Sequence, residues 1–261
     1  MLRKKFKERA LETEPDFRYR GKEASRIEGF SDDVLAFCVT LLIVSLAVPE
    51  TFNDLMKAFS GLLGFAISVI MLFGIWYEHY IFFLRYGLKD KRTVYLNGFL
   101  LFTILIYIYP LKFLFSFFAS ICRVLFNGFV LNKEVQHDWD HIFTNVITPE
   151  QIPLLMALYG AGASVIFLTF ALMYKNAWKK RDLMGLNEIE EHHTKWSIYK
   201  NLCMAFPPFI STILALATLS FSTSLSSMLA GASYGLYGIM AVYSVMEKNA
   251  KIKIIDLQKD L

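Results

Sequence analysis

Little in the sequence would serve the chemistry of a soluble enzyme. The three cysteines, Cys38, Cys122 and Cys203, lack the paired spacing of a redox or zinc motif, so we expect reduced thiols that act as small apolar residues. No glycine-rich phosphate loop, Ser-His-Asp triad or Cys-His pair can be assembled. Lys and Arg mark the ends of apolar blocks and form no single basic surface, which argues against nucleic acid as a partner. We therefore expect neither an enzyme nor a bound cofactor.

The N-terminal stretch from Met1 to Lys22 also lacks an apolar core that ends in a small-residue cleavage site. We expect no signal peptide, so that the first apolar helix directs insertion. Apolar residues are abundant elsewhere: 55% of the 261 residues are hydrophobic and 16% are aromatic, more than a soluble domain of this length can bury. Charged residues gather between long apolar blocks, as a lipid bilayer requires. This composition predicts an all-α, multi-pass membrane protein.

Six apolar segments are candidates for membrane spans, because about 20 residues of helix cross a hydrocarbon layer of roughly 30 Å. They cover residues 30–48, 56–82, 94–121, 152–177, 198–219 and 223–246. Pro110 is expected to kink or end the third helix, and Pro207-Pro208 make the fifth segment the weakest prediction. Five or seven spans are the alternatives.

Basic residues near the segment ends predict the orientation. They cluster in the N-terminal segment and at 85–92, 179–181 and 248–259. The positive-inside rule places all four groups in the cytoplasm, and both termini with them, which fits six spans. The expected organisation is a cytoplasmic segment 1–29, a six-helix domain 30–246 and a cytoplasmic tail 247–261.

The first span carries the most informative pattern. A charged entrance at Arg26 leads into an apolar helix, in which a stripe at three- and four-residue steps shares one face: Phe30, Asp33, Phe37, Thr40 or Leu41, and Val44. Ser31 and Asp32 could simply cap the helix, and the stripe could be ordinary packing. If several subunits turned this face to a common axis, it would form an apolar throat with an acidic entrance, and such throats gate by dewetting.

The pattern Arg26-x-x-x-Phe30-Ser31-Asp32, followed by an apolar helix with Thr-Leu-Leu and a final Val-Pro, resembles the transmembrane protein 175 family of potassium channels. Trp76-x-x-His79, and Leu96-Asn97 leading to Tyr109-Pro110, are similar to the second and third helices of that family. The resemblance implies a homotetramer in the bacterial inner membrane that passes K⁺ and other monovalent cations.

The resemblance also implies roles for individual residues. It places the constriction on Phe37, Leu41 and Val44, a polar layer on Thr40 and the cytoplasmic entrance at Asp33. The family motif residues would anchor the pore helix through a polar network: Arg26, Phe30, Ser31, Asp32, Trp76, His79 and Asn97. Phe37 departs from the family pattern, which more often has isoleucine or leucine there. No Thr-Val-Gly-Tyr-Gly segment exists, so we expect no re-entrant carbonyl filter and a hydrophobic gate instead.

Other interpretations stay open for several of these residues. Asp32, Asp33 and His79 could serve a proton-coupled carrier, and Trp76 with His79 could be an interfacial aromatic belt. His137 and His141 have the spacing of a metal-ligand pair on a helix, but we favour a solvated loop without metal. His192 and His193 could sense pH, although an exposed segment is the expectation.

Overall fold

A computed structural model describes residues 17–44, 50–130, 134–219 and 222–250, except positions 239, 241, 244 and 248. Most of these residues are helical, and none of them forms a β-strand. The α-helices are α1 (Arg26–Val44), α2 (Phe52–Tyr86), α3 (Lys91–Phe129), α4 (Gln136–His141), α5 (Ile152–Lys179), α6 (Arg181–Met184), α7 (Glu188–Thr218) and α8 (Thr223–Ala232). A π-helical turn, Ile142–Val146, and a 3-10 turn, Pro149–Gln151, join α4 to α5, and a second 3-10 turn, Ser233–Tyr237, follows α8.

Four stretches of helix are long and apolar enough to cross a membrane: Gly64–Tyr86, Lys91–Ile108, Pro149–Lys179 and Glu188–Thr218. They contain or overlap the second to fifth predicted spans. The first and sixth have no stretch of this kind among the described residues. Helix α1 begins with charged turns, and the predicted end of its span at 45–48 lies outside the described residues. Helix α8 has 10 residues before the 3-10 turn.

The prolines do not interrupt their helices as the sequence suggested. Pro110 lies inside a continuous α3, and Pro207-Pro208 lie inside a continuous α7. Pro208 has no backbone N–H, so the Met204 carbonyl, four residues earlier, lacks its usual donor within the helix. The hydroxyl of Tyr237 donates to this Met204 carbonyl at 3.1 Å. A neighbouring segment thus supplies the hydrogen bond that proline removes, which is how membrane helices tolerate such residues.

Helix α7 begins ten residues before the predicted span because its first turn is polar but well capped. The Asn187 side chain accepts from the Glu190 N–H at 2.8 Å, and the Glu190 carboxylate accepts from the Asn187 N–H at 3.0 Å. This reciprocal capping box satisfies two N–H groups that the start of a helix leaves without partners. Hydropathy alone does not detect a start of this kind.

A single large core joins α1, α2, α3 and α5. Its fully buried side chains include Cys38 of α1, Phe82 of α2, Leu100 of α3 and Phe170 of α5. Helix α5 also packs directly on α7, where a Cβ added to Gly160 would lie only 2.5 Å from the Pro208 carbonyl oxygen. The small residue therefore permits the close helix approach that is common in membrane bundles.

One end of the bundle gathers many charged residues, and we call it the basic end. Residues 17–21, the turn 87–90 between α2 and α3, and the connection 180–187 before α7 meet there. Asp90 caps α3 and lies 2.7 Å from the Lys180 ammonium. Burial alone raises the pKa of the Asp90 carboxyl, but bonds from Lys180, Thr93 and Asn176 outweigh burial and lower the pKa. This contact ties the start of α3 to the end of α5.

Candidate functional site

Helix α1 has two contrasting faces. Ser31, Leu35, Cys38 and Leu42 are buried against the bundle. The opposite face carries the stripe predicted from the sequence: Phe30 is 63% exposed, Phe37 55% and Val44 72% in the single chain. Arg26, Asp33 and Thr40 are also exposed, whereas Leu41 is partly buried at the edge of the stripe. This face is therefore available to lipid or to other subunits.

Asn97 links α1 to α3 and α2 through buried polar side chains. The Asn97 amide donates to Ser31 Oγ at 2.8 Å, and Asn97 Oδ1 lies 2.8 Å from His79 Nε2. Ser31 Oγ in turn donates to the Ile27 carbonyl at 2.8 Å within α1. Each side chain is almost completely buried. Since Asn97 Oδ1 can only accept, the geometry assigns a protonated Nε2 to His79.

Trp76 forms a second link between α1 and α2. Its indole Nε1 donates to Asp32 Oδ1 at 2.8 Å. The indole also stacks on the Tyr80 ring with centroids 5.6 Å apart and meets the Phe73 ring edge-on at the same distance. The aromatic neighbours restrict the indole orientation, so that its N–H points at the carboxylate. Asp32 is bonded to Trp76 and not to His79.

Other residues of the predicted site lie apart from these two links. Asp33 and Arg26 are exposed on the face with Phe30, two residues after and five residues before Ser31. The Thr40 hydroxyl donates to the Ala36 carbonyl at 3.0 Å, within its own helix. The oxygen keeps its acceptor capacity, because a hydroxyl has two lone pairs. Thr40 can therefore offer an oxygen ligand to a cation on the exposed face.

The layers of the stripe have the vertical spacing of successive helical turns. Phe37 and Leu41 are four residues apart, and Leu41 and Val44 three, which puts them about 6 Å and 4.5 Å apart along the axis. A single α1 supplies only one wall of a passage. A throat with these layers needs the same helix from further copies of the chain.

A second polar cluster between α2 and α7 was missed in the sequence. The Lys200 ammonium lies 2.6 Å from Glu78 Oε2, and Asn201 Nδ2 donates to Glu78 Oε1 at 3.1 Å. Arg85 donates to Ser197 Oγ at 2.9 Å, about one turn closer to the start of α7. Glu78 directly precedes His79 inside an apolar block, which is the sequence signal that could have indicated it.

The two histidine clusters differ from each other. His137 and His141 are both exposed on the short helix α4, as expected for a solvated segment. His193, in contrast, is buried with its ring 6.3 Å from that of Phe17, so the expectation of an exposed segment is wrong at this residue. His192 Nδ1 accepts from Trp196 Nε1 at 3.0 Å. Among the described residues, no three His, Cys, Asp or Glu side chains are grouped to hold a metal ion.

Several known proteins are similar to this chain in sequence. The family profile described as endosomal/lysosomal potassium channel TMEM175 matches residues 26–107, the range that contains both links to α1. A curated potassium channel of Marivirga tractuosa is 42% identical over 243 residues, which are 93% of this chain and 94% of the relative. A second, of Chamaesiphon minutus, is 23% identical over 176 residues, 60% of this chain and 87% of the relative.

A solved structure supports the same relation. The crystal structure of a threonine-to-alanine variant of the potassium channel MtTMEM175, in complex with a nanobody–MBP fusion protein, superimposes with a TM-score of 0.77. The two sequences are 42% identical, and the match covers 90% of this chain and 98% of the other. At this identity and coverage, the likeness extends over the whole fold.

Proposed function

This chain belongs to the TMEM175 potassium channel family, and we propose that it conducts K⁺ across the bacterial inner membrane as a homotetramer. The family consists of channels and not of enzymes, and the chain is a multi-pass membrane protein. In this proposal residues 30–246 form the channel domain with six spans per subunit. The segment 1–29 and the tail 247–261 lie in the cytoplasm. The basic end faces the cytoplasm, consistent with the positive-inside rule.

The exposed stripe of α1 carries this proposal. Phe37, Leu41 and Val44 of each subunit face a common axis and form three successive apolar constrictions. A narrow apolar throat excludes water and therefore opposes ion passage until it widens, so these layers act as the gate. Asp33, about one turn closer to the cytoplasm than Phe37, attracts cations to the entrance.

The two polar links hold α1 in the position that this pore requires. On the buried face of α1, Ser31 is bonded to Asn97, which also contacts His79. Beside this face, Asp32 of α1 is bonded to Trp76 of α2. Hydrogen bonds between membrane helices restrict helix rotation as well as separation, because each donor must stay aimed at its acceptor. A rotation of α1 would move the stripe away from the axis.

Selectivity in this pore depends on few oxygen atoms. The Thr40 hydroxyl is the obvious oxygen ligand at the depth of the constriction, whereas carbonyl-lined filters surround a K⁺ ion with many oxygens. We therefore propose modest selectivity for K⁺ over other monovalent cations. Phe37 adds the negative face of an aromatic ring, which attracts cations when it is turned toward them.

Reconstitution into liposomes tests the proposal. Purified protein should dissipate a K⁺ gradient, and Phe37→Ala should raise the K⁺ flux several-fold because a ring is removed from each subunit at the first constriction. Phe99→Ala on α3 is the matched control, since Phe99 is 50% exposed but lies outside the stripe. The control should conduct like the wild type.

The same preparation separates the channel from a carrier. Discrete single-channel current steps in planar bilayers support the channel, whereas saturable flux that requires a pH gradient supports a proton-coupled carrier. The potassium channel proposal is rejected if dense reconstitution gives no K⁺ flux with either the wild type or Phe37→Ala. A strict monomer in lipid would reject the four-subunit pore.

A further inference from the structure

Residues 17–21, which we call the strap, cross the basic end immediately before α1. The N–H of Gly21 donates to the Leu84 carbonyl at 3.0 Å, and that of Arg20 to the Arg85 carbonyl at 3.3 Å. The strap approaches the end of α2 so closely that a Cβ on Gly21 would lie 2.1 Å from the Phe83 carbonyl oxygen. The strap is therefore fitted against the backbone of α2.

Glu190, in the first turn of α7, holds the other side of the strap. Its side chain is completely buried, with a relative exposure of 0%. One carboxylate oxygen accepts from the Arg18 backbone N–H at 2.8 Å and from Arg18 Nε at 3.1 Å. The second oxygen accepts from Arg20 Nη2 at 2.8 Å. A single carboxylate thus receives charge-assisted hydrogen bonds from two arginines, and such bonds are about twice as strong as neutral ones.

Phe17 adds an apolar anchor beside this ion cluster. Its ring is buried and meets the Tyr86 ring edge-on, with the centroids 5.7 Å apart. The Arg85 guanidinium lies 5.3 Å from the centroid of the Phe17 ring. Four kinds of contact therefore fix the strap. They are backbone bonds to α2, side-chain bonds to Glu190 of α7, arginine bonds to the Met184 and Gly185 carbonyls, and a buried ring.

The connection from the strap to α1 is short. Four residues, 22–25, separate Gly21 from Arg26, so the two Cα atoms can lie at most about 18 Å apart. Ser25 at the end of this connection is itself fixed, because its N–H and hydroxyl both donate to Glu28 Oε1, at 3.0 Å and 2.7 Å. A displacement of the strap is therefore transmitted to the first turn of α1 through this short connection.

We propose that Glu190 is a positioning residue for conduction, which holds the cytoplasmic end of the pore helix in place through the strap. This inference rests on the proposed function, since it assumes that α1 lines the pore. Glu190 touches no residue of the stripe, so its effect passes through Arg18, Arg20 and the connection 22–25. In this arrangement α7, which lies outside the pore, sets the position of the entrance around Asp33.

Neutralising the carboxylate tests the inference. Glu190→Gln should release the strap, because two arginines lose their anionic acceptor, and the rate of tryptic cleavage after Arg18 and Arg20 should rise about tenfold or more. The K⁺ flux in liposomes should fall about threefold or more, within the usual range of coupling between distant sites. Mass spectrometry of the N-terminal fragments and a K⁺ flux assay measure the two effects on one preparation.

Three further variants complete the test. Glu191→Gln changes the neighbouring carboxylate, whose ion-pair partner, at 3.8 Å, is Arg181 and not a residue of the strap. This variant should leave cleavage and flux unchanged. Arg20→Gln weakens the same cluster from the strap side without altering α7. It removes the trypsin site after residue 20, so it should speed cleavage after Arg18 and lower the flux, and it serves as the test if Glu190→Gln folds poorly. Glu190→Asp, which keeps the charge, should restore part of the flux.

The outcomes distinguish the inference from the proposed function. If the wild type conducts K⁺, and Glu190→Gln speeds cleavage without changing the flux, the strap does not position the pore helix and the inference is wrong. An unchanged rate of cleavage after Arg18 in both Glu190→Gln and Arg20→Gln also overturns it. If the wild type carries no K⁺ at all, the proposed function fails and the inference fails with it.

Discussion

The bond between Ser31 and Asn97 gives a direct measure of how firmly α1 is held to the bundle. We consider the variants Ser31→Ala, Asn97→Ala and the combination of both. The first removes the hydroxyl that accepts from Asn97, and the second removes the amide that contacts both Ser31 and His79. Together with the wild type they form a double-mutant cycle, which isolates the energy of the pair.

The expected loss of stability depends on how deeply each side chain is buried and on how many hydrogen-bond partners it has. Ser31→Ala removes one interhelical bond, whereas Asn97→Ala leaves His79 Nε2 buried without this acceptor. An unsatisfied buried polar group costs about 1–3 kcal/mol, so Asn97→Ala should be the more harmful single change. Interhelical hydrogen bonds in membranes couple by about 0.6 kcal/mol on average and by up to roughly 1.7. We expect the Ser31–Asn97 coupling in the upper half of that range, because both groups are completely enclosed.

The free energies can be measured by unfolding the protein in mixed micelles with increasing SDS and following tryptophan fluorescence. Thr103→Val on α3 is the matched control. Thr103 is buried like Asn97, but its hydroxyl donates only to the Phe99 carbonyl of the same helix, at 2.8 Å. Removing such a bond within one helix should change stability by about 0.5 kcal/mol or less.

Two results would refute the reasoning. A coupling energy near zero would mean that the Ser31–Asn97 bond does not hold α1, whatever the single variants do. A loss in Thr103→Val as large as that in Asn97→Ala would mean that any polar deletion in α3 is equally harmful. Either result would remove the structural basis for the anchoring role proposed for Asn97.

Two further predictions concern packing and charge. Gly160→Ala should destabilise the protein by about 1–3 kcal/mol in SDS unfolding, because the new methyl group meets the Pro208 backbone. Gly98→Ala is the control: its Cβ meets nothing within 4 Å, so this variant should be neutral or stabilising. Asp90→Asn should destabilise the protein at neutral pH. The pKa of Asp90 is lowered in the folded state, so the carboxylate contributes its full stabilisation above the unfolded-state pKa of about 3.9 and loses it as the pH falls below that value. The difference in stability between Asp90→Asn and the wild type should therefore become smaller in thermal melts at acid pH. Asp182→Asn, which changes an exposed carboxylate, should show little pH-dependent difference, and a constant gap for Asp90→Asn would contradict the linkage.

The motif residues of the family resemblance, Trp76, His79 and Asn97 among them, indicated the polar links to α1. Trp76 and His79 are three residues apart and therefore project from neighbouring positions on one side of α2, toward Asp32 and Asn97 respectively. The apolar blocks predicted the second to fifth spans, since a bilayer imposes a minimum length of apolar helix. The spans follow from the length of single apolar segments, whereas the polar links were indicated by the family resemblance.

Contacts between distant segments could not be predicted in this way. Arg18 and Glu190 are 172 residues apart, and each looks like an ordinary member of a charged, solvated stretch. The continuity of α7 through Pro207-Pro208 was also hidden, because it depends on Tyr237 from another segment. A single sequence contains the residues of such contacts but not the packing that brings them together.

The geometry of α1 limits the shape of the proposed throat. From Phe30 to Val44 the stripe advances by alternating steps of four and three residues, an average of 3.5 per turn against 3.6 for a straight helix. The stripe therefore drifts by only about 40° over these two heptads, so one nearly straight helix can keep every layer on the axis. Its length, about 21 Å, is shorter than the roughly 30 Å of the hydrocarbon layer. The proposed gate from Phe37 to Val44 would therefore occupy only part of the membrane depth, and it would lie further along α1 than the strap and the Asn97 network.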